Sequence, residues 1–171
     1  MSNHTRLCPV CRTPSVEPMA TCAVCGTSPD AADHPLPPIS VPAGDHTRLR
    51  ALAAAHRDSN RQVAEFLFDE LERASVCREM PDATVTMDSR VLFQLDGEDR
   101  IECRTLVYPD RYLPTGQYIS ILSPLGVALL GLTTGDRMPF TDLQGMPTGV
   151  TVAEVAYSPG YLRHVEREAA N

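Results

Sequence analysis

The stretch Ser123-Pro-Leu-Gly-Val-Ala-Leu-Leu-Gly-Leu-Thr-Thr-Gly-Asp136 constrains the fold more than any other part of the chain. Ser123 is placed to cap a helix, and Pro124 suits its first turn, where a missing N–H costs nothing. Leu125, Val127, Ala128, Leu129 and Leu130 make that helix apolar nearly all round, so it belongs in a core. Gly131 suits the left-handed residue that closes a helix, with Leu132 folding back on Val127 in a Schellman arrangement. Gly135-Asp136 marks a turn into the next strand. A short helix with no polar face needs a sheet to bury it.

The flanking sequence supplies one. Val85, Met87, Val91, Phe93 and Leu95 share one parity, and Thr84, Thr86, Asp88, Arg90 and Gln94 the other, which is the pattern of a half-buried strand. Asp96-Gly97 signals a reversal. Ile101, Cys103, Thr105 and Val107 continue the buried parity on the next strand. Pro109 and Pro114-Thr-Gly116 bound an irregular loop, and Tyr118 to Leu122 forms a third strand feeding the helix. Pro139 restricts the strand after Asp136 to an edge or a bulge. The alternation of Val150–Tyr157 slips at Ala153-Glu154, as a bulge would cause. These elements predict an α+β domain: a curved antiparallel sheet around one short buried helix.

Ahead of the sheet, residues 46–78 read as a helical hairpin. Leu49, Leu52, Ala53 and His56 fall on one face of a first helix, with Asp45 as its candidate cap. Ser59-Asn-Arg-Gln62 has the form of a capping box, and Val63, Phe66, Leu67, Leu71 and Ala74 follow as an apolar stripe. Glu65, Asp69, Glu72 and Arg73 lie mostly opposite that stripe. Helices of about 11 and about 17 residues would be roughly 17 and 25 Å long. The tip carries Arg57, Asp58 and Arg61. Cys77 and Cys103 read as small buried apolar residues, since neither has the basic neighbourhood of a nucleophile.

Three segments carry a family resemblance: Val85-Thr-Met-Asp-Ser-Arg-Val91, Arg104-Thr-Leu-Val-Tyr-Pro109 and the Ser123–Asp136 stretch. They resemble the Gre transcript-cleavage factors and, more closely, their relatives in the regulator of nucleoside diphosphate kinase (Rnk) family. The likeness spans roughly residues 46–157. It implies an FKBP-like C-terminal domain over residues 81–159, with a short coiled-coil-like hairpin before it. It also implies binding to RNA polymerase at the rim of the secondary channel, through the loop that starts the buried helix. The matching positions are Leu122, Ser123, Pro124 and Leu125. Gre factors hold a catalytic Mg²⁺ with paired acids at the hairpin tip. Here Asp58 stands alone between Arg57 and Arg61, a poor donor set for an ion that wants charge-dense oxygen ligands. Transcript cleavage is therefore not expected. Nor is prolyl isomerase activity, which needs a deep aromatic pocket, whereas this chain has no Trp.

Residues 1–26 carry Cys8-Pro-Val-Cys11 and, after ten residues, Cys22-Ala-Val-Cys25-Gly26. Two Cys-x-x-Cys pairs at this separation can present four thiolates tetrahedrally to Zn²⁺. The segment is too poor in large apolar residues for a core, so metal binding would supply its folding energy. Four sulfurs close the shell, which makes the zinc structural. Rubredoxin-like iron and a redox dithiol are the alternatives. Residues 27–45, with Pro29, Pro35, Pro37, Pro38 and Pro42, read as a semi-rigid linker, and residues 160–171 as a tail.

Composition excludes little else. A net charge of −7, with no Lys among 15 cationic side chains, argues against nucleic-acid binding by charge alone. No apolar run is long enough to span a bilayer, and no signal peptide is evident. A cytoplasmic monomer is expected, its cysteines being thiols or metal ligands. No catalytic constellation or phosphate-binding glycine loop appears. The function expected is that of a non-enzymatic transcription regulator bound to RNA polymerase. The alternative is a zinc-ribbon adaptor that uses the Gre-like domain as a scaffold.

Overall fold

The computed structural model describes residues 6–7, 14–15 and 36–157. The chain divides into two units, Met1–Leu36 and Pro37–Asn171. In the first, strands β1 (Arg6–Leu7) and β2 (Pro14–Ser15) pair antiparallel. Cys8, Cys11, Cys22 and Cys25 lie outside the described residues, as does the tail.

The second unit starts earlier than the proline content suggests. Strand β3 (Ser40–Pro42) pairs in parallel with β4 (Ser75–Cys77), and Ile39 and Val41 are buried. The linker therefore does not run to residue 45. Pro42 is tolerated because the pair has only two strands, so both are edges. Helix α1 (Ala43–Ala55) follows at once, with Pro42 as its N-cap residue. Asp45 is not the cap. It lies in the first turn, where the helix dipole favours an acid, and accepts a hydrogen bond from the Tyr108 hydroxyl at 2.9 Å. Helix α2 (Arg61–Arg73) runs back along α1, and each helix has 13 residues. Leu49, Ala53, Val63, Leu67 and Leu71 are buried, as the stripes predict. Glu70 is buried too, and no apolar pattern announces it.

Hairpin and sheet share one core. Strands β5 (Arg90–Leu95), β6 (Ile101–Val107), β7 (Tyr118–Ser120), β8 (Arg137–Thr141) and β9 (Pro147–Tyr157) form a sheet in the order β7-β6-β5-β9-β8. It is mixed, not purely antiparallel: β7 lies parallel to β6. The connection from Tyr108 to Gln117, with a 3₁₀ turn at Pro109–Arg111, carries the chain back to the start of that pairing. Pro139 sits on the edge strand β8, and the β5–β9 register skips Ala153, both as expected.

Two strand readings fail. The segment before β5 does not continue that strand: Thr84 makes an isolated antiparallel bridge with Thr133, and a turn at Met87-Asp88 separates it from β5. Thr84 to Met87 are all buried, and Asp88 adopts φ 65°. The Ser89 hydroxyl accepts from the Thr86 amide at 2.9 Å and lies 3.0 Å from the Thr86 hydroxyl, closing a turn that hides both polar side chains. On β6 the parity is reversed. Phe93 pairs with Glu102 and Val91 with Arg104, and directly paired residues share a face. The core side of β6 thus begins with Glu102 and Arg104 and turns apolar only at Leu106. Ile101 is 57% exposed and Cys103 is exposed, its sulfur accepting from Arg90 Nε at 3.1 Å. Cys77 is only half-buried.

The opening helix is α3 (Pro124–Leu129). Its closure is not a Schellman motif. Leu130 at φ −60°, ψ 128° and Gly131 at φ 77° form a type II turn, with the Leu132 amide on the Leu129 carbonyl. A Cβ on Gly131 would also meet Ile39 Cβ at 2.8 Å. The turn is therefore fitted against β3, which the helix sequence alone could not signal.

Candidate functional site

The start of α3 is built by a serine network. Ser123 Oγ accepts from the Gly126 amide at 3.1 Å, the N-cap bond expected of it, and donates to the Ser120 carbonyl at 2.7 Å. The Leu122 amide donates to Ser120 Oγ at 3.2 Å, and the Ser123 amide to the Ser120 carbonyl at 3.0 Å. The helix is pressed onto the end of β7. A Cβ on Gly126 would stand 2.1 Å from the Ser120 carbonyl oxygen, so only glycine fits. The corner Leu122–Leu125 is thus held by hydrogen bonds within the chain itself.

Burial divides the four positions. Leu122, Ser123 and Leu125 are half-buried, so part of each faces solvent. Pro124 is buried and belongs to the packing, which corrects the reading of all four as an exposed contact set. Two hollows flank it. One, of about 570 Å³, lies between α2 and β8 and is lined by Arg61, Gln62, Phe66, Pro124 and Phe140 among others. The other, of about 460 Å³, opens over the sheet, with Arg104, Tyr118, Ser123, Leu125, Phe140 and Leu143 in its wall. Pro124 and Phe140 line both hollows. The second hollow is edged by ion pairs: Arg104 with Glu102, and Arg137 with Asp96. The hydrogen bond to Asp96 holds the Arg137 pKa above its ordinary value. The exposed Leu143 and Met146 stand on the β8–β9 turn beside it.

The hairpin tip does not stand apart from this corner. Asn60 Nδ2 donates to the Leu122 carbonyl at 3.3 Å, and Arg61 shares the first hollow with Pro124. Arg61 Nε pairs with Glu65 at 2.7 Å. The Arg57 guanidinium lies over the Phe68 ring at 5.5 Å, with Arg50 at 5.8 Å. Asp58 is exposed, and among the described residues no group of three or more His, Cys, Asp or Glu could hold a metal ion. The sequence reading missed Asn60 and Phe140. The capping box expected at Ser59–Gln62 does not form: the Ser59 hydroxyl donates instead to the His56 carbonyl at 3.4 Å, and Asn60 is the N-cap residue. Nothing local encodes a partner as distant in sequence as Leu122.

The mixed sheet around a serine-capped helix is similar to a C-terminal domain of the GreA/GreB type, with a short hairpin ahead of it. The family described as "Transcription elongation factor, GreA/GreB, C-term" matches residues 80–157, and the Rnk N-terminus family matches residues 37–76. The regulators of nucleoside diphosphate kinase of Escherichia coli K12 and Shigella flexneri are each 36% identical over 117 residues, covering 67% of this chain and 86% of theirs. The structure of a GreA/GreB prokaryotic transcription elongation factor from Nitrosomonas europaea is 36% identical, with a TM-score of 0.57, over 70% of this chain and 99% of that one. The chain belongs to the Rnk family of GreA/GreB-like factors.

Proposed function

We propose that this protein regulates transcription by binding RNA polymerase near its secondary channel, without stimulating transcript cleavage. The observation that carries the reading is the corner itself. A serine-capped helix start shows Leu122, Ser123 and Leu125 to solvent between two hollows, at the position where the resemblance to Gre factors puts the polymerase grip. The hairpin supports the second half of the proposal. Its helices are only 13 residues each, its tip is tied to the corner, and the one carboxylate of the tip loop, Asp58, gives Mg²⁺ too few ligands. The protein would act by occupying the channel mouth.

The test is capture of the full chain on purified RNA polymerase. A Leu125→Gln or Leu122→Gln variant should lose binding; because both side chains pack partly against the core, a lowered thermal midpoint is expected too, and binding is read at a temperature where far-ultraviolet circular dichroism shows each variant folded. Binding unchanged in both variants excludes this surface. Release of 3′ dinucleotides from stalled polymerase, dependent on Asp58, excludes the non-cleaving reading. We further propose that Cys8, Cys11, Cys22 and Cys25 hold one structural zinc ion: the donor set of four thiolates suits it.

A further inference from the structure

We infer that Asn60 is a positioning residue of the docking corner, which rests on the polymerase-binding reading of that corner. Asn60 occupies the N-cap of α2, where asparagine ordinarily accepts from an amide of the first turn. It makes no such bond. Its side chain turns away and donates to the Leu122 carbonyl at 3.3 Å. A helix that leaves its best cap residue unused breaks a local rule, and such breaks concentrate where a structure serves function. Here the gain falls on the peptide that leads into Ser123. The Leu122 amide is already held by Ser120 Oγ, so the bond from Asn60 fixes the other end of the same residue.

The consequence is a coupled surface. The backbone of Leu122 is held from the strand side by Ser120 and from the hairpin side by Asn60. The solvent-facing parts of Leu122, Ser123 and Leu125 are then presented in one arrangement, and binding has little ordering left to offset. The Asn60 side chain is half-buried and lies between tip and corner. The hairpin of this protein thus serves as a brace for the corner and not as a free probe.

The decisive variant is Asn60→Ser. Serine is an equally good N-cap residue but too short to reach the Leu122 carbonyl. It should keep or raise the thermal midpoint of the full chain, yet bind purified RNA polymerase about fivefold more weakly, the weight of one hydrogen bond. In hydrogen exchange of the free protein, the amides of Gly126 and Val127, bonded to Ser123, should exchange faster than in wild type. Asn60→Ala should show the same exchange and binding changes, because no cap bond is lost. Wild-type affinity and wild-type exchange in both variants would overturn the inference. Absence of polymerase binding by the wild-type chain would refute the proposed function instead, and the exchange measurement would still decide whether Asn60 braces the corner.

Discussion

Replacing Arg73 by alanine should cost more stability than replacing its partner Glu70. The Glu70 side chain, 4% exposed, receives Arg73 Nε at 3.0 Å on both oxygens and Nη2 at 2.5 Å on one. Arg73 is 26% exposed and spends its remaining nitrogen, Nη1, on the Pro37 carbonyl at 2.6 Å. The pair therefore ties the start of the folded unit to α2. Arg73→Ala strands a carboxylate in the core and frees the Pro37 carbonyl, for a loss of about 3–5 kcal/mol. Glu70→Ala strands a guanidinium that can still turn toward water, so the loss is discounted to about 1–2 kcal/mol. Glu70→Gln, which keeps the volume and an acceptor, should fall below both. Urea unfolding of the full chain, followed by far-ultraviolet circular dichroism, reads the order directly. A Glu70→Ala loss equal to or larger than that of Arg73→Ala would refute the reasoning, because burial of the carboxylate would then not be the dominant cost.

Three further outcomes are expected. Gly126→Ala gains about 1 kcal/mol of helix propensity, but its Cβ would stand 2.1 Å from a backbone oxygen, so a lower melting temperature is expected; a raised one would show that α3 can shift off β7. Burial, with Asp45 beside it, pushes the Tyr108 phenol well above the ordinary tyrosine range. Because the folded-state value is the raised one, this stabilisation is complete below about pH 10 and is lost as pH rises beyond it. Tyr108→Phe should remove that alkaline loss, and identical pH–stability curves above neutrality would exclude the assignment. Metal analysis of the purified chain should find one zinc, lost on joint replacement of Cys8 and Cys22 by serine; a metal-free wild-type chain sinks the zinc proposal.

What was legible in advance is what local chemistry dictates. The cap on α3, the turn glycines, the apolar stripes of the hairpin, the edge proline at Pro139 and the bulge at Ala153 each depend on a residue's own conformational preference or on a short repeat. Two errors are local, at Thr86–Ser89 and Ser59–His56, where side-chain bonds three residues apart replace the expected pattern, and the others involve partners distant in the chain. The parity of β6 was misjudged because Ile101 and Cys103 are apolar, whereas the core side is chosen by the β5 register. The segment 84–89 alternates like a strand, yet hydroxyl bonds between Thr86 and Ser89 turn it inward. The proline-rich stretch was read as linker to residue 45, yet β3 forms there because Ile39 and Val41 find a core and β4 offers a partner.

The amino-acid sequence by itself determined that a short apolar helix, capped at Ser123 and followed by a turn at Gly131, would be buried by a sheet. The tertiary structure alone decided what that helix start is for. It buried Pro124 and left Leu122, Ser123 and Leu125 half-open. It also brought Asn60 from the hairpin to the Leu122 carbonyl. Caps and stripes are set by neighbours within a few residues, but a surface is made by segments that meet only after the chain has packed.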